Sequence, residues 1–196
     1  IPEQAPDVGT VLVPAGGGGL LAGIATAIKA LRPDVEVVGV QAEGAAAYPP
    51  SLAQGGPQAL AEMKTMADGI AVGRPGDIPF AAVQAHCDRV VTVSEESTSR
   101  ALLSLLERAK MVVEPAGAVG VAALLEHRRD FRTPVVAVLS GGNIDALLLA
   151  KVIRHGMAAA GRYLALTVCI PDAPGGLARL LATLAEAQAN VLDVVH

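Results

Sequence analysis

Four consecutive glycines, Gly16 to Gly19, stand between a short apolar run at residues 11–13 and a helical pattern. The pattern is Leu20, Leu21, Ile24, Ala25, Ile28 and Leu31, and Pro33 stops it. Glycine loses more freedom on ordering than any other residue, roughly 0.5–1 kcal/mol against alanine. Four in a row between two ordered elements need a reason. Either the loop is only a flexible turn, or its backbone must approach a ligand closely. In a strand–loop–helix setting the second reading has a mechanism. Free N–H groups and the positive end of the helix dipole together form an anion cradle, and the expected ligand is a phosphate.

The residues just after the loop narrow the type of phosphate ligand. A Walker-type loop requires Lys-Ser or Lys-Thr, whereas Leu20 and Leu21 stand there. A dinucleotide fingerprint can be laid over Gly17, Gly19 and Ala22, with Glu43 as the ribose acid, but a run of glycines satisfies many such patterns by accident.

Apolar runs at residues 11–13, 35–40, 89–93 and 135–139 read as strands, alternating with helical patterns from residue 10 to 158. This alternation predicts an α/β fold with a mostly parallel sheet flanked by helices. Aromatic residues are only 2% of a chain that is 52% hydrophobic, so the core must be built from Ala, Val, Leu and Ile. Parallel strands buried on both faces have that composition. Ser94 is the expected N-cap of a helix to about Lys110, and Pro115 opens another through Leu125. A further helix is expected to end near Met157. Residues 41–76 are rich in Gly, Pro and Ala and predict only short helices and loops.

A second loop, Ser140, Gly141, Gly142 and Asn143, comes after the run at 135–139. Its hydroxyl would lie at the carboxyl end of a strand, where open α/β sheets bind ligands. Ser140 could equally be the N-cap of the next helix. Glu114, just before Pro115, reads either as a pocket carboxylate or as favourable charge at a helix start.

The net charge of −4 and the lack of a basic stripe argue against nucleic acid as a partner. No run of 18 apolar residues suggests a membrane span. The beginning of the chain does not look like a signal peptide. Cys87 and Cys169 have no metal-ligand spacing, and a reducing, cytoplasmic location is expected. His86, His127, His155 and His196 read as surface residues, and Lys29, Lys64, Lys110 and Lys151 as solvated.

Four stretches taken together carry a family resemblance: residues 13–23 with the glycine loop, 67–72 (Ala-Asp-Gly-Ile-Ala-Val), 113–118 (Val-Glu-Pro-Ala-Gly-Ala) and 139–143 (Leu-Ser-Gly-Gly-Asn). In this order they resemble the fold-type II pyridoxal-phosphate (PLP) enzymes, and most closely their threonine/serine dehydratase branch. The resemblance covers about residues 8 to 158. It implies a tryptophan-synthase-β-like fold and PLP as cofactor. Carried over, Gly16, Gly17, Gly18, Gly19 and the N–H of Leu20 would hold the cofactor phosphate, and Ser140 would contact the pyridine nitrogen. The implied reaction on a small amino-acid substrate is deamination of threonine to 2-oxobutanoate and ammonia, in isoleucine biosynthesis or threonine catabolism.

The same branch contains serine dehydratases and racemases. The family's Schiff-base lysine belongs to a Ser-x-Lys-type motif upstream of the glycine loop, and none of the four lysines here has that context. No catalytic residue is therefore assigned within the chain, which alone is expected to be inactive. A non-catalytic module that kept the fold and lost the lysine is the alternative from another class, and a nucleotide-binding oxidoreductase is a third. Some relatives place a divalent cation after the second strand; only Glu43 could serve well in residues 41–47, so no metal is expected. Relatives are commonly homo-oligomers, dimers or tetramers.

A composition break at residues 158–161 separates an expected catalytic part, residues 1–160, from residues 161–196. The latter resemble the opening of an ACT-type regulatory domain. A strand is expected at residues 163–170, a turn at 171–176, a helix on Leu177, Leu180, Leu181 and Leu184, and a second strand from Asn190, an incomplete βαβ segment.

Overall fold

In a computed structural model, residues 1–162 and 164–195 are described, and the chain divides into two compact units between residues 163 and 164. The first unit is built on four parallel strands: β1 (Thr10–Pro14), β2 (Glu36–Ala42), β3 (Arg89–Val93) and β4 (Val135–Ala137). Their spatial order is β3-β2-β1-β4. Thr10 pairs with Glu36 on one side of β1 and with Val135 on the other. All five residues of β1 are buried. The expected parallel sheet is therefore present.

Helices cover both faces: α1 (Gly19–Leu31), α2 (Tyr48–Gln54), α3 (Asp77–His86), α4 (Glu95–Ser104), α5 (Pro115–Glu126) and α6 (Ala146–Ala159). The period-2 alternation of β1 sorts its side chains between two cores. Val11 and Val13 join α1 and α3 through Leu21, Ala25, Phe80 and Val83. Leu12 joins Val38 and Val40 of β2 with Ala118, Val119 and Ala122 of α5 and Ala101 of α4. Ser94 caps α4 as expected, its hydroxyl accepting from Ser97 N–H at 3.2 Å. Beyond α4 the coil widens into a π-turn, Leu105–Ala109, and ends at Lys110 with φ 57°.

Three expectations are corrected in this unit. The run at 135–139 forms a strand only over Val135–Ala137, and its residues are half-buried. β4 lies at the sheet edge, so one of its sides has no ladder partner to extend pairing. Lys29 is not solvated: its ammonium lies 2.7 Å from Asp88 and donates to the Val35 carbonyl at 2.8 Å. His86 and His127 are half-buried, the latter with Nε2 3.1 Å from the Thr92 carbonyl, while His155 is exposed as expected. His196 lies outside the described residues.

Charged pairs gather at the amino ends of the strands. Arg89, which opens β3, meets Glu36, which opens β2, at 2.9 Å, and the Arg89 guanidinium lies over Phe131. Thr10, which opens β1, donates to the same Glu36 carboxylate at 2.9 Å. The carboxyl ends of β1 and β4 are left to glycine-rich loops.

The second unit contains one helix, α7 (Gly176–Glu186), entered through Gly175 at φ 82°. The helix expected on Leu177, Leu180, Leu181 and Leu184 is therefore present. No strand forms over 164–170 or 190–195, and Leu164, Leu166 and Val168 are exposed. Strands need a ladder for their N–H and C=O groups, and these two segments do not pair. Residue 163, where the first of these strands was expected to begin, lies outside the described residues.

Candidate functional site

The chain runs from β1 through α1 to β2 and on to β3 on one side, then crosses back to place β4 on the other side of β1, so the strand order reverses there. The crevice beyond the carboxyl ends of β1 and β4 is the topological switch point of the sheet, where α/β folds bind ligands. The two loops singled out from the sequence emerge there. Gly16, Gly17, Gly18, Gly19, Leu20 and Ser140 all line one cavity of about 300 Å³, with Gly69, Ile70, Glu114 and Ala116.

The glycine loop begins as β1 ends. Gly18 is the N-cap of α1 with φ 99°, a conformation that disfavours any residue with a Cβ. A Cβ there would also overlap the Tyr48 hydroxyl. The first helical hydrogen bond runs from Ala22 N–H to the Gly18 carbonyl at 2.8 Å. Among the described residues, the N–H groups of Gly16 to Leu21 donate to no backbone or side-chain acceptor. Gly16 to Leu20 line a cavity at the positive end of a 13-residue helix dipole. An anionic ligand satisfies both features.

The second loop resolves a choice left open by the sequence. α6 starts at Ala146, and its N-cap is Asp145, whose Oδ1 accepts from Leu147 and Leu148 N–H at 2.8 and 3.1 Å. Ser140 is therefore not the cap. It stands exposed at the cavity, and its hydroxyl has no hydrogen-bond partner among the described residues.

Glu114 is the N-cap residue of α5, yet its side chain does not cap that helix. Its Oε2 accepts from Asn143 N–H at 3.1 Å, and its own N–H donates to the Gly141 carbonyl at 3.1 Å. A Cβ on Gly141 would overlap the same carboxylate. Glu114 thus sits in the cavity wall and ties down the Ser140 loop, closer to the pocket-carboxylate reading than to the helix-start reading.

Sequence reasoning assigned no role to Gln41 or Tyr48. Both are fully buried beneath the glycine loop. Tyr48 stacks near Phe80, with ring centroids 6.2 Å apart, and burial pushes its phenol up to about 12. The available signals were a lone amide at the carboxyl end of an apolar strand and the scarcity of aromatics, two Tyr and two Phe in the chain. None of the four lysines lines the cavity. No cluster of three metal-ligating side chains occurs among the described residues, and no described helix is long and apolar enough to cross a membrane.

A parallel α/β sheet with a glycine-rich anion cradle at its switch point defines a class of proteins that hold phosphorylated ligands. Within that class, the chain belongs to the pyridoxal-phosphate dependent enzyme family, whose pattern matches residues 1–141. It is 45% identical over 196 residues to an L-threonine ammonia-lyase of Thermotoga maritima, covering all of this chain and 49% of that protein. It is 47% identical over 195 residues to an L-threonine ammonia-lyase of Geobacter sulfurreducens, covering 99% of this chain and 48% of that one. The crystal structure of a T.th. threonine deaminase superposes with a TM-score of 0.71 at 42% identity, over 73% of this chain and 54% of that one. The chain spans about half the length of the curated relatives it matches.

Proposed function

We propose that the protein carrying this chain is a PLP-dependent lyase that deaminates L-threonine to 2-oxobutanoate and ammonia. The observation that carries this reading is the meeting of the glycine loop, Ser140 and Glu114 around one cavity at the switch point. The similarity to two threonine ammonia-lyases at 45% and 47% identity supports threonine as the substrate.

The residues present fit the cofactor. Gly16 to Gly19 and Leu20 would hold its phosphate through free N–H groups, which need no side-chain cation because the helix dipole supplies the field. Ser140 would hold the pyridine nitrogen by donating its unpaired hydroxyl. When bound, PLP supplies an electron sink for the bond at the substrate Cα. A hydroxyl leaves that nitrogen neutral, unlike a carboxylate, which would keep it protonated. The sink is then weaker, which suits an elimination in which the substrate hydroxyl departs promptly.

Glu114 fixes the loop that presents Ser140 by accepting from Asn143 N–H. The base that removes the Cα proton is proposed to be a lysine outside these 196 residues. Within them, Lys29 is tied to Asp88 at 2.7 Å, and Lys64 and Lys151 are exposed away from the cavity lining. The second unit is proposed to open an ACT-like regulatory domain, supported by the Leu180, Leu181 and Leu184 face of α7.

The test is turnover by the full-length protein loaded with PLP, with L-threonine and L-serine in parallel and 2-oxobutanoate or pyruvate as the readout. A higher kcat/KM for threonine is expected. Tight PLP binding with neither product formed would sink the lyase reading, and serine racemisation would move the protein to the neighbouring activity.

A further inference from the structure

Beneath the glycine loop lies a polar brace made by β2 and α2. Gln41 is fully buried in a strand otherwise formed by Glu36, Val, Gly and Ala. Burying an amide is unfavourable unless every polar atom finds a partner. Its Nε2 donates to the Ala15 carbonyl at 3.0 Å and reaches the Ala45 carbonyl at 3.5 Å. Its Oε1 accepts from Tyr48 N–H at 2.8 Å, which seats the tyrosine. The Tyr48 hydroxyl then donates to the Gly17 carbonyl at 3.4 Å, and Gly76 N–H donates to the same oxygen at 3.0 Å.

These contacts have a geometric consequence. In a planar trans peptide, the carbonyl of one residue and the N–H of the next point to opposite sides. Holding the Ala15 carbonyl inward turns Gly16 N–H outward. Holding the Gly17 carbonyl inward turns Gly18 N–H outward. Gly16 and Gly18 both line the cavity.

We propose that Gln41 and Tyr48 are positioning residues for the anion cradle: without touching the ligand, they aim the N–H groups of Gly16 and Gly18 at its phosphate. This rests on the reading of the glycine loop as the phosphate site. It adds that phosphate affinity is set by two side chains from β2 and α2, and not by the glycines alone.

A purely structural role predicts a different pattern. Loosened packing would weaken every mode of cofactor binding together, whereas misaimed donors weaken only the contribution of the phosphate. The test compares affinities for PLP and for pyridoxal, which lacks the phosphate, in the full-length apoprotein by equilibrium titration. Gln41→Met keeps the side-chain length and removes all three polar contacts, to Ala15, Ala45 and Tyr48. Tyr48→Phe keeps the ring against Phe80 and removes only the hydroxyl.

The expected result is a PLP Kd raised on the order of 10-fold in Gln41→Met and about 3-fold in Tyr48→Phe, with the pyridoxal Kd unchanged in both. Parallel weakening of PLP and pyridoxal, or no change in either, overturns the proposal. If Gln41→Met does not fold, Tyr48→Phe decides by the same ratio. If the unsubstituted protein itself does not prefer PLP to pyridoxal, the cradle reading falls and the brace falls with it. If it does prefer PLP and the variants keep that preference, only the brace falls.

Discussion

The glycine loop leaves a central strand buried on both faces, and Gln41, Tyr48 and Gly76 hold it from beneath. The Ser140 loop leaves β4, a half-buried edge strand of three residues, and hangs on contacts from Glu114. Both line the same cavity. The difference matches what each would do. A phosphate needs several donors converging from a fixed backbone, and that geometry survives only on a rigid support. A single hydroxyl aimed at a ring nitrogen needs only one correctly placed side chain. Stability should therefore be concentrated under the first loop, and function without stability in the second.

The sharpest way to break that contrast is Gly18→Ala. The added Cβ meets the Tyr48 hydroxyl and forces an L residue to φ 99°. Both effects cost stability, together about 3 kcal/mol. Urea unfolding of the full-length apoprotein should show this loss, and PLP binding should be lost with it. Adding Tyr48→Phe should recover only part, because the backbone strain remains. A Gly18→Ala protein as stable as the original would mean that the loop is a flexible turn after all.

Ser140→Ala is the counterpart. The side chain is exposed and makes no hydrogen bond among the described residues, so stability should change by less than about 0.5 kcal/mol. Threonine turnover should nevertheless fall on the order of 100-fold, the usual scale for losing one well-placed donor at a reacting group. Equal activity would show that the ring nitrogen does not depend on this hydroxyl.

The first loop was also the more legible in the sequence, for a physical reason. Strand, glycines and helix are contiguous, so local patterning fixes their order, and β1 and α1 appear within a residue or two of the expected bounds. The helix after the second loop has two residues able to cap it, Ser140 and Asp145. Only the position at which α6 begins decides between them. The run at 135–139 looked like a full buried strand because its residues are apolar, but edge position is a property of the sheet and not of the run. Lys29 was misread for the same kind of reason, since its partner Asp88 is brought near by β2 and β3 pairing in parallel. Gln41 and Tyr48 were given no role: their partners at Ala15 and Gly17 are 26 and 31 residues away.

The smallest expected effect concerns the brace itself. Tyr48 is fully buried, and burial first, then the nearby Cys87, raises its phenol from 10.0 to about 12. The folded state therefore keeps a proton that the unfolded chain begins to lose near pH 10. Between pH 10 and 12 the unfolded state binds fewer protons, so stability falls as pH rises and levels off above the folded value. Below pH 10 this contribution is complete. Unfolding measured at steps across that window should show a decline that Tyr48→Phe lessens, with tyrosinate absorbance reporting the same ionisation. A tyrosinate signal from Tyr48 at its ordinary pH, in the folded protein, would mean that water reaches the phenol and that the support under the glycine loop is as open as the loop that carries Ser140.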